Sequence, residues 1–128
     1  MELNIKQAPF VNQLPFESQV AILKALTHPV RIAILYILRD NEHCVCHLSA
    51  YLGFRQAYIS QQLSVLREAG LIQDRRDGWN IYYRVVNPLI FDVLDAAQVL
   101  SDEPIPCLPA SRIACECPNC SPKVGAGG

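Results

Sequence analysis

The sequence predicts a mainly α-helical fold carrying one β-hairpin, in the order α-α-α-α-β-β-α. Three observations lead there. Apolar residues recur at helical spacing in successive stretches. Asp77-Gly78 gives a tight-turn signal between two strand-like runs. The chain has 128 residues, 51% of them hydrophobic, which suits a single core.

Each element has a local reason. Residues 16–26 carry Phe16, Val20, Leu23 and Leu26 at helical period. Thr27-His28-Pro29 interrupts that helix, and Pro29 suits the first position of a second one. Residues 30–39 are apolar nearly all round, as expected at the centre of a small core. A short third helix is expected within 41–52, closed by Gly53. A fourth spans about 55–69 and ends at Gly70, although Arg55 is a poor N-cap where Ser or Asp would be expected. Strands over 71–76 and 79–86 flank Asp77-Gly78; that turn sets Ile72 opposite Tyr83 and puts Ile81, Tyr83 and Val85 on one face. The last helix, 88–100, shows a stripe of Ile90, Val93, Leu94 and Ala97. The resulting division is an N-terminal arm (1–15), a folded domain (16–100) and a tail (101–128). The tail is rich in Pro, Cys and Gly and is expected to be irregular unless something ties it down.

Two short helices, a tight turn and a hairpin in this order form a winged helix-turn-helix. On a helical wheel of residues 55–69, Ile59, Leu63 and Leu66 face inward. Ala57, Gln61 and Ser64 lie opposite, with Gln56, Tyr58 and Ser60 beside them. Small and amide side chains suit a helix in the major groove, where Gln pairs with adenine and Ser with several bases. At the hairpin tip, Arg75 and Arg76 are placed to meet phosphates or the minor groove.

Net charge is −1, so gross basicity is no argument for nucleic acid, but its distribution is informative. Residues 51–86 hold five Arg against three acids, whereas residues from 87 onward hold five acids against two bases. Order, spacing and charge together imply a regulator that binds double-stranded DNA. No phosphate-cradling glycine loop, zincin motif or nucleophile–base spacing points to an enzyme. The N-terminus lacks a signal pattern, and the longest apolar stretch, 32–38, is far too short to span a bilayer, so a cytoplasmic location without membrane contact is expected. Six cysteines in that reducing compartment favour metal ligands or redox-active thiols over structural disulfides.

ALTHPVRIAILYILRD, CVCHLSAYLG, ISQQLSVLREAGLI and DGWNIYYRV together resemble the ArsR/SmtB family of metal-sensing repressors over about residues 20–100. The resemblance implies a homodimer formed by the first and last helices and two recognition helices on an inverted-repeat operator. It also implies repression in the metal-free state and release of DNA on binding an inducer. In the arsenic- and cadmium-sensing branches a Cys-x-Cys pair sits on the third helix, and here it is Cys44-Val45-Cys46. Two soft thiolates select As(III), Cd(II), Pb(II) or Zn(II) over hard cations; arsenite is the first choice, because three thiolates in a trigonal array suit it. Residues i and i+2 of a helix point about 200° apart. Gripping one ion with both is therefore expected to bend or unwind the start of that helix.

The source of a third ligand is open. Some arsenic sensors of this type have a cysteine three positions after the pair, where this chain has Ser49. The cadmium branch borrows cysteines from its N-terminal arm, but none precedes Cys44 here. In one arrangement Cys44 and Cys46 join tail cysteines from among Cys107, Cys115, Cys117 and Cys120; in the other those four form a separate tetrathiolate knuckle, for structural zinc. His43 and His47, four apart, are candidate supplementary ligands, and His47 stands where the arsenic-sensing relatives usually carry Asp. The SmtB-like zinc site on the last helix needs an acid and two histidines, whereas this helix offers only Asp92 and Asp95. Two other functions stay open: a thiol-based redox-sensing repressor of the same fold, and a protein-interaction winged helix with a zinc-bound tail.

Overall fold

The structure is a computed structural model and describes residues 14–104. Its elements are α1 (Glu17–Ala25), α2 (Pro29–Ile37), β1 (His43–Cys44), α3 (Val45–Leu52), α4 (Gln56–Glu68), β2 (Ile72–Asp77), β3 (Asn80–Val85) and α5 (Leu89–Ser101). Most of the N-terminal arm and nearly all of the tail, including Cys107, Cys115, Cys117 and Cys120, lie outside the described residues.

The helices begin and end where local chemistry allows. Pro29 opens α2, and His28 caps it through Nδ1, which accepts the Val30 N–H at 3.2 Å. Gly53 closes α3 with φ +78°, a left-handed conformation that a Cβ would strain. Arg55 precedes α4 without any side-chain cap, so the misfit read from the sequence is present in the fold.

The core is formed where the inner faces of α2, α3 and α4 meet: Ile34, Leu35, Leu48, Ile59, Leu63 and Leu66 are fully buried. Burial of each such side chain contributes ~1.5–3 kcal/mol before conformational entropy is counted. Ile72 at the start of the hairpin and Ile90, Phe91 and Leu94 of α5 close this core from the other side. The outer helices pack on it with one edge only. Ala25 of α1 is buried, yet Phe16, Val20 and Leu23 stay exposed, as do Leu89, Val93, Val99 and Leu100 of α5. No single helix among the described residues is long and apolar enough to cross a membrane.

The sheet departs from the sequence expectation in two ways. It has three antiparallel strands, ordered β1-β3-β2, because His43 and Cys44 pair with Tyr83 and Tyr82. The hairpin turn also lies one residue later than expected, which shifts each cross-strand partner by two. Asp77 pairs with Asn80, so the turn residues are Gly78 and Trp79, and Ile72 lies opposite Val85, not Tyr83. Gly78 has φ +61° and Trp79 has no positive φ, which is a type II′ turn. A turn centred on Asp77-Gly78 would have forced Asp77 into the left-handed region; this register leaves that burden to glycine alone.

Candidate nucleic-acid interface and thiol site

On α4 the structure separates an outer from an inner face. Gln56, Ala57, Ser60 and Gln61 are exposed together, and Ser64 is half-buried at the edge of that surface. Tyr58 is also half-buried and is held from two sides. Its ring lies 5.0 Å from that of Phe54, and its hydroxyl is 3.2 Å from His28 Nε2. Because His28 Nδ1 already accepts the Val30 N–H, Nε2 carries the ring proton and donates it to Tyr58 Oη. Tyr58 therefore reaches the outer face as a fixed support and not as a free probe.

The inner face holds a polar connection. Gln62 is 8% exposed, and its Oε1 accepts from Arg31 Nη1 at 2.9 Å. The same guanidinium donates from Nε to the Ala25 carbonyl at 2.7 Å and from Nη2 to the Lys24 carbonyl at 3.3 Å. Arg31 thus satisfies the open end of α1 and a buried amide of α4 at once. Sequence reasoning missed this pair, although Gln62 sits three residues after Ile59 and four before Leu66, on the inward stripe.

The two wing arginines proposed for DNA differ in their freedom. Arg75 donates to both carboxylate oxygens of Glu42, lies 3.8 Å from Asp77 and stacks over the Tyr82 ring at 4.9 Å. The hydrogen bond from Arg75 holds the Glu42 carboxyl below the usual range and the guanidinium above its own. Arg76 makes no ion pair among the described residues and is exposed. Beyond it, at the turn, Trp79 is 101% exposed.

The thiols sit beside the middle of β3. Cys44 is not a helical residue. It is extended (φ −82°, ψ 165°), occupies the N-cap of α3 and accepts the His47 N–H on its sulfur at 3.4 Å. Cys46 lies in the first turn, the two Cα atoms are 5.4 Å apart, and the sulfurs are joined as a disulfide. This corrects the expectation that both cysteines ride on the helix and must unwind it to meet. With Cys44 held in β1 by pairing with Tyr82, the two side chains converge without disturbing α3. Cys44 is 2% exposed and Cys46 half-buried, so Cys46 is the more accessible sulfur.

The neighbouring histidines stack, with ring centroids 4.1 Å apart and planes within 10°. Ligating lone pairs lie in the ring plane, so rings stacked in parallel do not aim at one shared ion. Both Nδ1 atoms are buried without a hydrogen-bond partner. Burial first, and the charge of His47 second, push the His43 pKa down to about 4; burial lowers that of His47 also. Ser49 donates its hydroxyl to the Phe54 carbonyl. No group of three potential metal-ligating side chains occurs among the described residues.

Comparison with known proteins agrees with this architecture. Residues 28–74 match the family model described as bacterial regulatory protein, arsR family. A biofilm growth-associated repressor of Agrobacterium fabrum is 38% identical over 95 residues, covering 73% of this chain and 81% of that protein. An arsenic resistance transcriptional regulator, ArsR1, of Pseudomonas putida is 39% identical over 85 residues, covering 60% and 66% of the two chains. Among solved structures, a homodimeric winged helix-turn-helix DNA-binding domain from Mycobacterium bovis superimposes with a TM-score of 0.63 at 28% identity, covering 76% of this chain and 89% of that one. A two-helix reading unit, a wing and relatives that are repressors converge on one assignment: the chain belongs to the arsR family of bacterial regulatory proteins.

Proposed function

We propose that this protein is a homodimeric repressor that holds an inverted-repeat DNA operator through α4 of each copy. It releases the operator when a soft metal or metalloid ion binds the thiolates of Cys44 and Cys46. Arsenite is the first choice, followed by Cd(II), Pb(II) and Zn(II). The observation that carries this reading is the convergence of two sulfurs where β1 becomes α3, since paired soft donors select soft ions. The Pseudomonas putida relative is named for arsenic resistance, which fits the same chemistry. Further thiolates would come from Cys107, Cys115, Cys117 and Cys120; the alternative use of those four is a separate structural zinc knuckle. About 15 residues between Leu100 and Cys115 can extend ~50 Å, enough to reach α3 of either copy. Exposed apolar residues on α1 (Phe16, Val20, Leu23) and α5 (Val93, Val99, Leu100) supply the surface for a second copy. The Mycobacterium bovis neighbour is itself described as homodimeric.

A second reading keeps the DNA and changes the signal: a thiol-based redox switch. It is favoured by one observation, that the same two sulfurs are joined as a disulfide. Fluorescence anisotropy on the chain's own upstream DNA, at stated salt, separates the readings. For the reduced protein, arsenite or cadmium should lower operator affinity about 5- to 150-fold, the range of common allosteric couplings. Response to a thiol oxidant alone would favour the second reading. Cys44→Ser should still bind DNA, because a hydroxyl also caps a helix, while ignoring arsenite. Normal release of that variant by arsenite would remove the site assignment.

A further inference from the structure

The wing ends in a side chain that the fold does not use. Trp79 is the sole tryptophan of the chain and is fully exposed. The turn does not require it, since Gly78 supplies the positive φ that a type II′ turn needs. The indole packs on none of the described residues, although such a ring buries roughly 150–250 Å² where it finds a partner.

Its surroundings point to the kind of partner. Arg75 is fastened to Glu42 and Asp77, and Arg84 donates to Gln73 at 2.8 Å, so both guanidinium groups already have partners within the wing and its neighbour Glu42. Arg76, paired with Ile81 and three residues before Trp79, is exposed and makes no ion pair among the described residues. Asp77, the acid beside the turn, is offset by Arg75 at 3.8 Å, which lowers its repulsion of phosphates. The wing therefore presents one flat apolar group at its tip and one exposed arginine three residues before it. Proteins that enter the minor groove use that combination: a cation for the narrow, negative groove and an apolar wedge between base steps.

We propose that Trp79 is a minor-groove wedge, inserted beside each half-site while Gln56, Ala57, Ser60 and Gln61 face the major groove. Its ligand is duplex DNA with a flexible pyrimidine–purine step, TA or CA/TG, under the wing. This rests on the DNA-binding reading and adds a reading position that α4 does not touch.

The full-length protein and a duplex from its own upstream region test it, and the sole tryptophan is the reporter. Stacking against a base step should strongly quench indole emission on binding. Trp79→Ala should lose about 5- to 150-fold in affinity, the range for one base–aromatic stack. Its dependence on salt should stay unchanged, and Trp79→Phe should keep most of the affinity. Arg76→Ala should instead reduce the salt slope by about one. Replacing the flexible step by a stiff A-tract should weaken wild type more than Trp79→Ala. Thermal unfolding of Trp79→Ala should match wild type, as expected for an exposed turn position.

Wild-type binding with unaltered emission, together with undiminished affinity of Trp79→Ala, would overturn the wedge and leave the indole to a protein surface. Failure of wild type to prefer any upstream duplex over unrelated DNA would overturn the DNA-binding reading, and the wedge with it. The two failures are distinguishable, because only the first leaves a sequence-selective complex.

Discussion

Removing the Arg31 guanidinium should destabilise the fold mainly through what it leaves behind on the recognition helix. Three hydrogen bonds end on this group, at 2.7 Å to the Ala25 carbonyl, 2.9 Å to Gln62 Oε1 and 3.3 Å to the Lys24 carbonyl. In Arg31→Ala the amide of Gln62, only 8% exposed, loses its donor. A buried acceptor left unpaired costs ~1–3 kcal/mol, and the end of α1 loses a cation at its carbonyls, worth ~0.3–1 kcal/mol. The expected loss is about 2–3 kcal/mol. Adding Gln62→Leu should return ~1 kcal/mol or more, because the orphaned amide is then gone. Urea unfolding followed by far-UV circular dichroism measures all four members of the cycle. Protein concentration must be held constant, since association raises apparent stability. A loss below ~0.5 kcal/mol for Arg31→Ala, or strict additivity of the two changes, would refute this account of how α4 is fastened.

Two further outcomes are expected. The folded state holds the His43 pKa near 4 against 6.5 for the free side chain, so the unfolded chain binds more protons between those values. Its contribution to stability should be complete above about pH 6.5 and should fall as pH drops towards 4, by ~1–2 kcal/mol after allowing for partial solvent screening; His43→Gln should flatten urea-unfolding stability across that window, and an unchanged slope would remove His43 as its source. Gln61→Ala should weaken operator binding by ~1–3 kcal/mol through one lost base contact while leaving the unfolding curve unchanged; equal loss on every sequence tested by anisotropy would make Gln61 a backbone contact instead.

The helices were legible because each carries its own periodicity and its own stop signals. Gly53 and Gly70 mark the ends of α3 and α4 in any context, and Ile59, Leu63 and Leu66 declare an inward stripe within one helix. What was not legible depends on partners far along the chain. Two residues, His43 and Cys44, are too few to show an alternation, and only their pairing with Tyr83 and Tyr82 makes them a strand. That strand moves Cys44 off the helix and reverses the argument about how two sulfurs meet. The hairpin register failed for a narrower reason. Asp-Gly is a strong signal for a type I′ turn, but glycine followed by any residue suits type II′ equally. Cross-strand packing decided between them, with Ile72 placed on Val85. At the candidate site, the exposed residues of α4 could be read from a helical wheel. The tethering of Arg75 by Glu42 could not, because 33 residues separate them.

The pairing of Cys44 with Tyr82 has a mechanical meaning beyond register. β3 is shared: its middle carries the backbone of the cysteine strand, and its start forms the tip of the wing. From Tyr82, where β1 pairs, to Trp79 at the tip is three residues, a stiff lever ~10 Å long at ~3.3 Å per residue, so a tilt of ~5° there sweeps the tip through ~1 Å. That travel is about a third of the length of a hydrogen bond. An event that reshapes β1 by a few degrees would therefore arrive at Trp79 magnified, through the stiffness of the sheet and with no helix melted on the way.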